Sequence, residues 1–113
     1  MSCPSESVEQ ITFVNWFRRT YPDVLIFAIP NGGLRHKTVA QKLKMEGVVS
    51  GVPDLFVPEW MLWIEMKREK GGTVSDKQKA VMLQLELAGY KCSVCKGHKE
   101  AIELCTRMIS AGH

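Results

Sequence analysis

Residues 51–67, GVPDLFVPEWMLWIEMK, constrain this chain more than any other stretch. Two apolar runs, DLFVP and MLWIEMK, flank a short turn at Pro58, Glu59 and Trp60, the pattern of a β-hairpin. The first run opens on an acid, Asp54. The second closes on an acid and a base two residues apart, Glu65 and Lys67. Side chains alternate faces along a strand, so Met61, Trp63, Glu65 and Lys67 share one face and Leu62, Ile64 and Met66 the other. Glu65 and Lys67 then point the same way, roughly 7 Å apart. Asp54 shares a face with Phe56, and a tight turn at 58–60 sets residue 54 opposite 64–66. Asp54 and Glu65 converge.

The rest of the chain supplies the frame. SESVEQITFVNWFRRTYPD has Val8, Ile11 and Val14 at three-residue spacing and Phe13 and Phe17 four apart, an amphipathic helix ending before Pro22. VLIFAIP (24–30) predicts a buried strand, NGG (31–33) a turn, and KTVAQKLKMEG (37–47) a short helix closed by Gly47. Ser75 with Gln78 forms a capping-box pattern at the head of a helix running to Ala88, with Val81, Leu85 and Ala88 as its apolar stripe. YKCSVC (90–95) is a strand. A last helix spans His98 to Ser110, with Ala101, Ile102, Cys105, Met108 and Ile109 on one face. The order α-β-(α)-β-β-α-β-α is a mixed α/β sandwich.

Length and composition fit a single globular domain over 1–113, with 45% hydrophobic and 24% charged residues. No apolar run approaches the roughly 18 residues of a membrane span. MSCPSESVEQ has no apolar core of a signal peptide, which makes the cytoplasm the expected compartment and disulfides among the four cysteines unexpected. The net charge of +3 is weak evidence for nucleic acid, and a solvated surface explains it as well.

Two converging carboxylates repel unless a cation sits between them. Mg²⁺ is the economical solution, because it takes oxygen ligands and leaves positions for water and phosphate. The backbone carbonyl of Met66 is a further candidate ligand. Such an ion polarises a phosphoryl oxygen and acidifies water, and Lys67 would stabilise the developing negative charge. The set suits phosphodiester hydrolysis.

Pro53-Asp54 followed by Glu65-Met66-Lys67 matches the PD-(D/E)xK nuclease pattern. GVPDL (51–55), IEMK (64–67), S-x-x-Q (75–78), NGG with Arg35 and the preceding EGVVSGVPD resemble the virus-type replication-repair nuclease (VRR-Nuc) domain, from about residue 6 to 103. The resemblance implies a restriction-endonuclease-like core with a mixed central sheet of about four strands flanked by helices. It implies Asp54 and Glu65 as ligands of Mg²⁺, with Mn²⁺ able to substitute, and Lys67 as the catalytic lysine. It also implies a DNA endonuclease acting on branched or flapped structures, and a phage or bacterial nucleoid setting. Stand-alone members resemble dimeric Holliday junction resolvases, so a homodimer on four-way-junction DNA is expected. A flap or end-processing nuclease and a catalytically silent DNA-binding module are the alternatives. A first-helix acid completes the site in many relatives, and Glu6 and Glu9 compete for that place; Glu6 is favoured because Gln10 then lies one turn on along the same face.

Gln78 fits both the family glutamine after the catalytic strand and the capping-box partner of Ser75. Asn31, Arg35, His36 and Lys37 are candidate phosphate contacts, set against a turn followed by solvated charges. Cys92-x2-Cys95 with His98 and Cys105 invites a zinc reading, yet three-residue separation on a strand puts the two thiols on opposite faces, which favours packing. Among the tryptophans, Trp16 is expected to pack in the core or an interface, Trp63 beside the site, and Trp60 exposed at the hairpin tip as a candidate dimer anchor or DNA wedge.

Overall fold

The computed structural model describes residues 3–30 and 37–112. Its elements are α1 (Glu6–Thr20), β1 (Phe27–Ala28), α2 (Lys37–Met45), β2 (Leu55–Val57), a 3-10 turn (Pro58–Trp60), β3 (Leu62–Lys67), α3 (Asp76–Leu87), β4 (Lys91–Lys96) and α4 (His98–Ser110). The four strands form one sheet in the order β1-β2-β3-β4. The first two pairings are antiparallel and β3–β4 is parallel, with α3 as the crossover that a parallel pair requires. This is the mixed four-stranded sheet expected from the sequence.

The hairpin register sets Leu55 against Ile64 and Val57 against Leu62. All four side chains are fully buried, together with Met66, Phe13 and Phe17, in a core closed by α1 and α4. Each such side chain contributes roughly 1.5–3 kcal/mol by leaving water. The opposite face of the sheet carries Phe56 stacked on Trp63 at 4.1 Å, with Tyr90 edge-on. On that side α3 packs over β4, and the Cys92 thiol donates to the Met82 carbonyl.

Three local expectations are corrected. The run 24–30 yields only a two-residue edge strand, because just Phe27 and Ala28 find ladder partners; Leu25 stands 62% exposed while Ile26 is buried. The inward stripe of α1 is Glu9, Phe13 and Phe17, whereas Val8 and Ile11 face out. Trp60 is not an exposed tip: it is 4% exposed, edge-on to Phe17 and Tyr21 at 5.3 Å each. Met61 adopts the left-handed conformation (φ 49°), which closes the 3-10 turn and folds Trp60 back under the sheet. Among the described residues no helix is long and apolar enough to cross a membrane.

Candidate active site

Extending the hairpin register by one residue places Asp54 against Glu65. Pro53 and the ladder fix Asp54 at the mouth of β2: its backbone carbonyl accepts from Ile29 N at 2.8 Å, and its carboxylate Oδ2 accepts from Met66 N at 2.7 Å. Glu65 is 2% exposed, with Oε2 accepting from Gln78 Nε2 at 2.9 Å and lying 3.4 Å from Lys67 Nζ. Its other oxygen, Oε1, is buried with no hydrogen-bond partner. Glu6, the first residue of α1, brings a third carboxylate, so that one oxygen each from Glu6, Asp54 and Glu65 lie within 4.8 Å of one another.

These acids open onto a cleft of about 250 Å³ walled by Ser50, Gly51, Val52, Ser75 and Gln78. Gly51 has φ +96°, and a Cβ there would stand 2.7 Å from the Lys77 carbonyl. Only glycine lets the 50–53 segment pass this close to the head of α3. Gln78 serves twice. Its Oε1 accepts from Ser75 N at 2.9 Å, completing the capping box, while its Nε2 holds Glu65. The head of α3 is thereby tied to the site.

The electrostatics are those of an acid cluster short of cations. Burial, and then the neighbouring Asp54 charge, push the Glu65 carboxyl up to about 7 against the pull of Lys67. Burial also raises Asp54, opposed by the Met66 amide, by the adjoining Glu65 carboxyl and by Lys67. Glu6 is raised by burial and by Asp54. Three hard oxygen donors in reach of one point, one with a buried unpartnered oxygen, suit Mg²⁺ or Mn²⁺ better than a thiophilic metal.

The structure thus brings Glu6, Asp54, Glu65, Lys67 and Gln78 together, and it takes Glu9 elsewhere, to His98. Met66 turns its side chain to the core and its amide to Asp54. Asn31, Arg35 and His36 lie outside the described residues, and Lys37 opens α2. The cysteines form no metal group among the described residues. Cys95 and Cys105 are in the core, their thiols pushed up to about 12 by burial, and Cys92 lies on the other face at about 11. Sequence reasoning missed the cleft wall at Ser50 and Gly51, although the SGVP breaker beside Asp54 marked a backbone needing unusual geometry.

The family model of the VRR-NUC domain matches residues 3–99. A solved structure described as a VRR_NUC domain protein superimposes with a TM-score of 0.79 at 26% identity, covering 98% of this chain and 93% of that one. No curated protein matches the chain.

Proposed function

We propose that this chain, which belongs to the VRR-NUC family of nucleases, is a divalent-metal-dependent endonuclease for branched DNA that acts as a homodimer on four-way junctions. Nuclease activity and DNA as substrate follow from the family; the metal, the branched substrate and the dimer are the steps proposed beyond it. The observation that carries it is the convergence of Glu6, Asp54 and Glu65, one oxygen of Glu65 left buried and unpartnered, with Lys67 3.4 Å from the other.

Glu6, Asp54 and Glu65 would hold Mg²⁺ or Mn²⁺. The Met66 carbonyl is a fourth candidate, because a strand residue's N–H and C=O leave by the same edge and the Met66 N–H points at Asp54. When bound, the ion polarises the phosphoryl oxygen and makes water easier to deprotonate. Lys67 supplies a fixed cation that orients the attacking water and stabilises negative charge developing on the phosphate. Gln78 presents only N–H groups to Glu65, so Oε2 stays an acceptor and the carboxylate stays aimed. The Met66 amide does the same for Asp54. The match over residues 3–99 supports reading 1–113 as one nuclease domain. A four-way junction needs two cuts related by two-fold symmetry, which an isologous dimer provides.

The test is a cleavage panel of four-way junction, 5′ flap, 3′ flap, duplex and single strand, each with Mg²⁺, Mn²⁺ or EDTA. Paired symmetric nicks in the junction, abolished by EDTA, are expected. One-sided cutting of flaps would keep the chemistry and replace the substrate. Tight binding without cleavage under any metal would replace the enzyme with a silent DNA-binding module.

A further inference from the structure

Glu9 sits one turn along α1 from Glu6, yet it belongs to a different network. It is 2% exposed, and Oε1 accepts from the backbone N–H of His98 at 3.1 Å while lying 2.6 Å from His98 Nδ1. The carboxylate enters at the head of α4, where the N-cap is Gly97 and offers no side chain of its own. Gly97 has φ +88°, and a Cβ there would stand 3.2 Å from Glu9 Oε2, so this corner is shaped to admit the carboxylate. An acid at a helix N-terminus meets free N–H groups and the positive end of the dipole. Here the acid is delivered from another helix, 89 residues away in sequence.

The corner that Glu9 grips is also bonded to the catalytic strand. Gly97 N donates to the Lys67 carbonyl at 3.0 Å, and Lys67 pairs with Lys96 in the ladder. A continuous path therefore runs from Glu6 along one turn of α1 to Glu9, across to His98 and Gly97, and on to the backbone of Lys67. Among the described residues, this is the only close contact that α1 makes between a carboxylate and a basic side chain. The apolar contacts of Phe13 and Phe17 hold α1 against the core further along. Near the site, the Glu9 bonds fix its rotation. A turn of about 20° would move a side-chain tip on the helix surface by roughly 2 Å, enough to take Glu6 out of the acid cluster.

We propose that Glu9 and His98 are positioning residues, a latch that sets Glu6 against Asp54 and Glu65 and so sets the affinity of the site for its divalent ion. The proposal rests on the metal-site reading above. A merely structural role, in which Glu9 only caps α4, would cost stability without acting through Glu6.

The experiment is a double-mutant cycle read by Mn²⁺ calorimetry on the full chain: wild type, Glu9→Gln, Glu6→Gln and the double variant, with Asp54→Asn as the site control. Glu9→Gln keeps an acceptor for the His98 amide, so α4 remains capped. His98→Ala is the companion variant, since it removes the ring and leaves the backbone N–H. The expected results are about tenfold weaker Mn²⁺ binding in Glu9→Gln, a loss in the same direction in His98→Ala, and no further loss when Glu9→Gln is added to Glu6→Gln. Wild-type affinity in Glu9→Gln, or an undiminished loss on the Glu6→Gln background, would overturn the latch and leave the metal site standing. Absence of Mn²⁺ binding by the wild type, equal to Asp54→Asn, would overturn both.

Discussion

Glu9 and Glu65 are buried to the same degree, 2% exposed each, and the fold treats them in opposite ways. Glu9 receives the His98 amide and faces the His98 ring at the head of a helix, and these bonds hold its carboxyl below the usual range despite burial. Glu65 faces Asp54, keeps one oxygen unpartnered and is pushed up to about 7. Burial alone therefore says nothing about role. A carboxylate whose bonds match its charge is holding the structure together. One left short of donors beside a second acid, with a single lysine in reach, has the chemistry of a cation ligand.

The sharpest way to break this comparison is to neutralise each acid and measure cleavage. Asp54→Asn or Glu65→Gln is expected to lower the rate by about a thousandfold or more, since several kcal/mol of transition-state stabilisation would go with the ion. Both should leave junction binding in a gel-shift assay within a few fold. Near-normal cleavage by either variant would end the metal mechanism. Lys67→Met comes next, with about a hundredfold loss expected in single-turnover rate at saturating Mn²⁺.

Stability should order the two glutamates the other way. For Glu65 the folded value lies above the ordinary 4.5, so the folded state retains the extra proton, and metal-free stability falls as pH rises from about 4.5 to about 7. Glu65→Gln should remove that fall and raise metal-free stability at pH 8 by roughly 1–3 kcal/mol. For Glu9 the folded value is lowered, so its contribution is complete above 4.5 and is lost as pH drops through the folded value. Glu9→Gln should cost roughly 1 kcal/mol at pH 7, the difference between a charged and a neutral acceptor. Urea denaturation across pH 4 to 8 in EDTA would check both signs. Gln78→Ala, which loses half of the capping box and the Glu65 tether, is expected to cost about 1 kcal/mol in the same denaturation series and about tenfold in cleavage, well below the losses at Asp54, Glu65 and Lys67.

The sequence made the hairpin legible because period-two alternation and a tight turn leave one register that buries Leu55, Val57, Leu62 and Ile64 together. That register carries Asp54 to Glu65, so their convergence is legible in the sequence. The capping box at Ser75 was equally local. What failed was what tertiary contacts decide. Trp60 reads as exposed because a hairpin tip usually is, but a left-handed Met61 turns it onto Phe17 and Tyr21. The apolar run at 24–30 reads as a buried strand, yet it lies at the sheet edge with two ladder positions. The buried face of α1 is hidden from the sequence because a buried glutamate does not register as part of an apolar stripe. Its partner, His98, is on the far side of the sequence, and no local pattern could pair them.

The amide of Met66 has one further consequence. It donates to a carboxylate at 2.7 Å, inside the site and next to Glu65, with its own side chain fully buried. Its proton is deshielded by Asp54 and sheltered from solvent exchange, so in a ¹⁵N-correlated spectrum it is expected downfield and slow to exchange. Protonation of Asp54, or an ion drawing electron density from Oδ2, would move that resonance. The polypeptide backbone thus carries a spectroscopic probe of the state of Asp54, placed by the same strand that supplies Glu65 and Lys67.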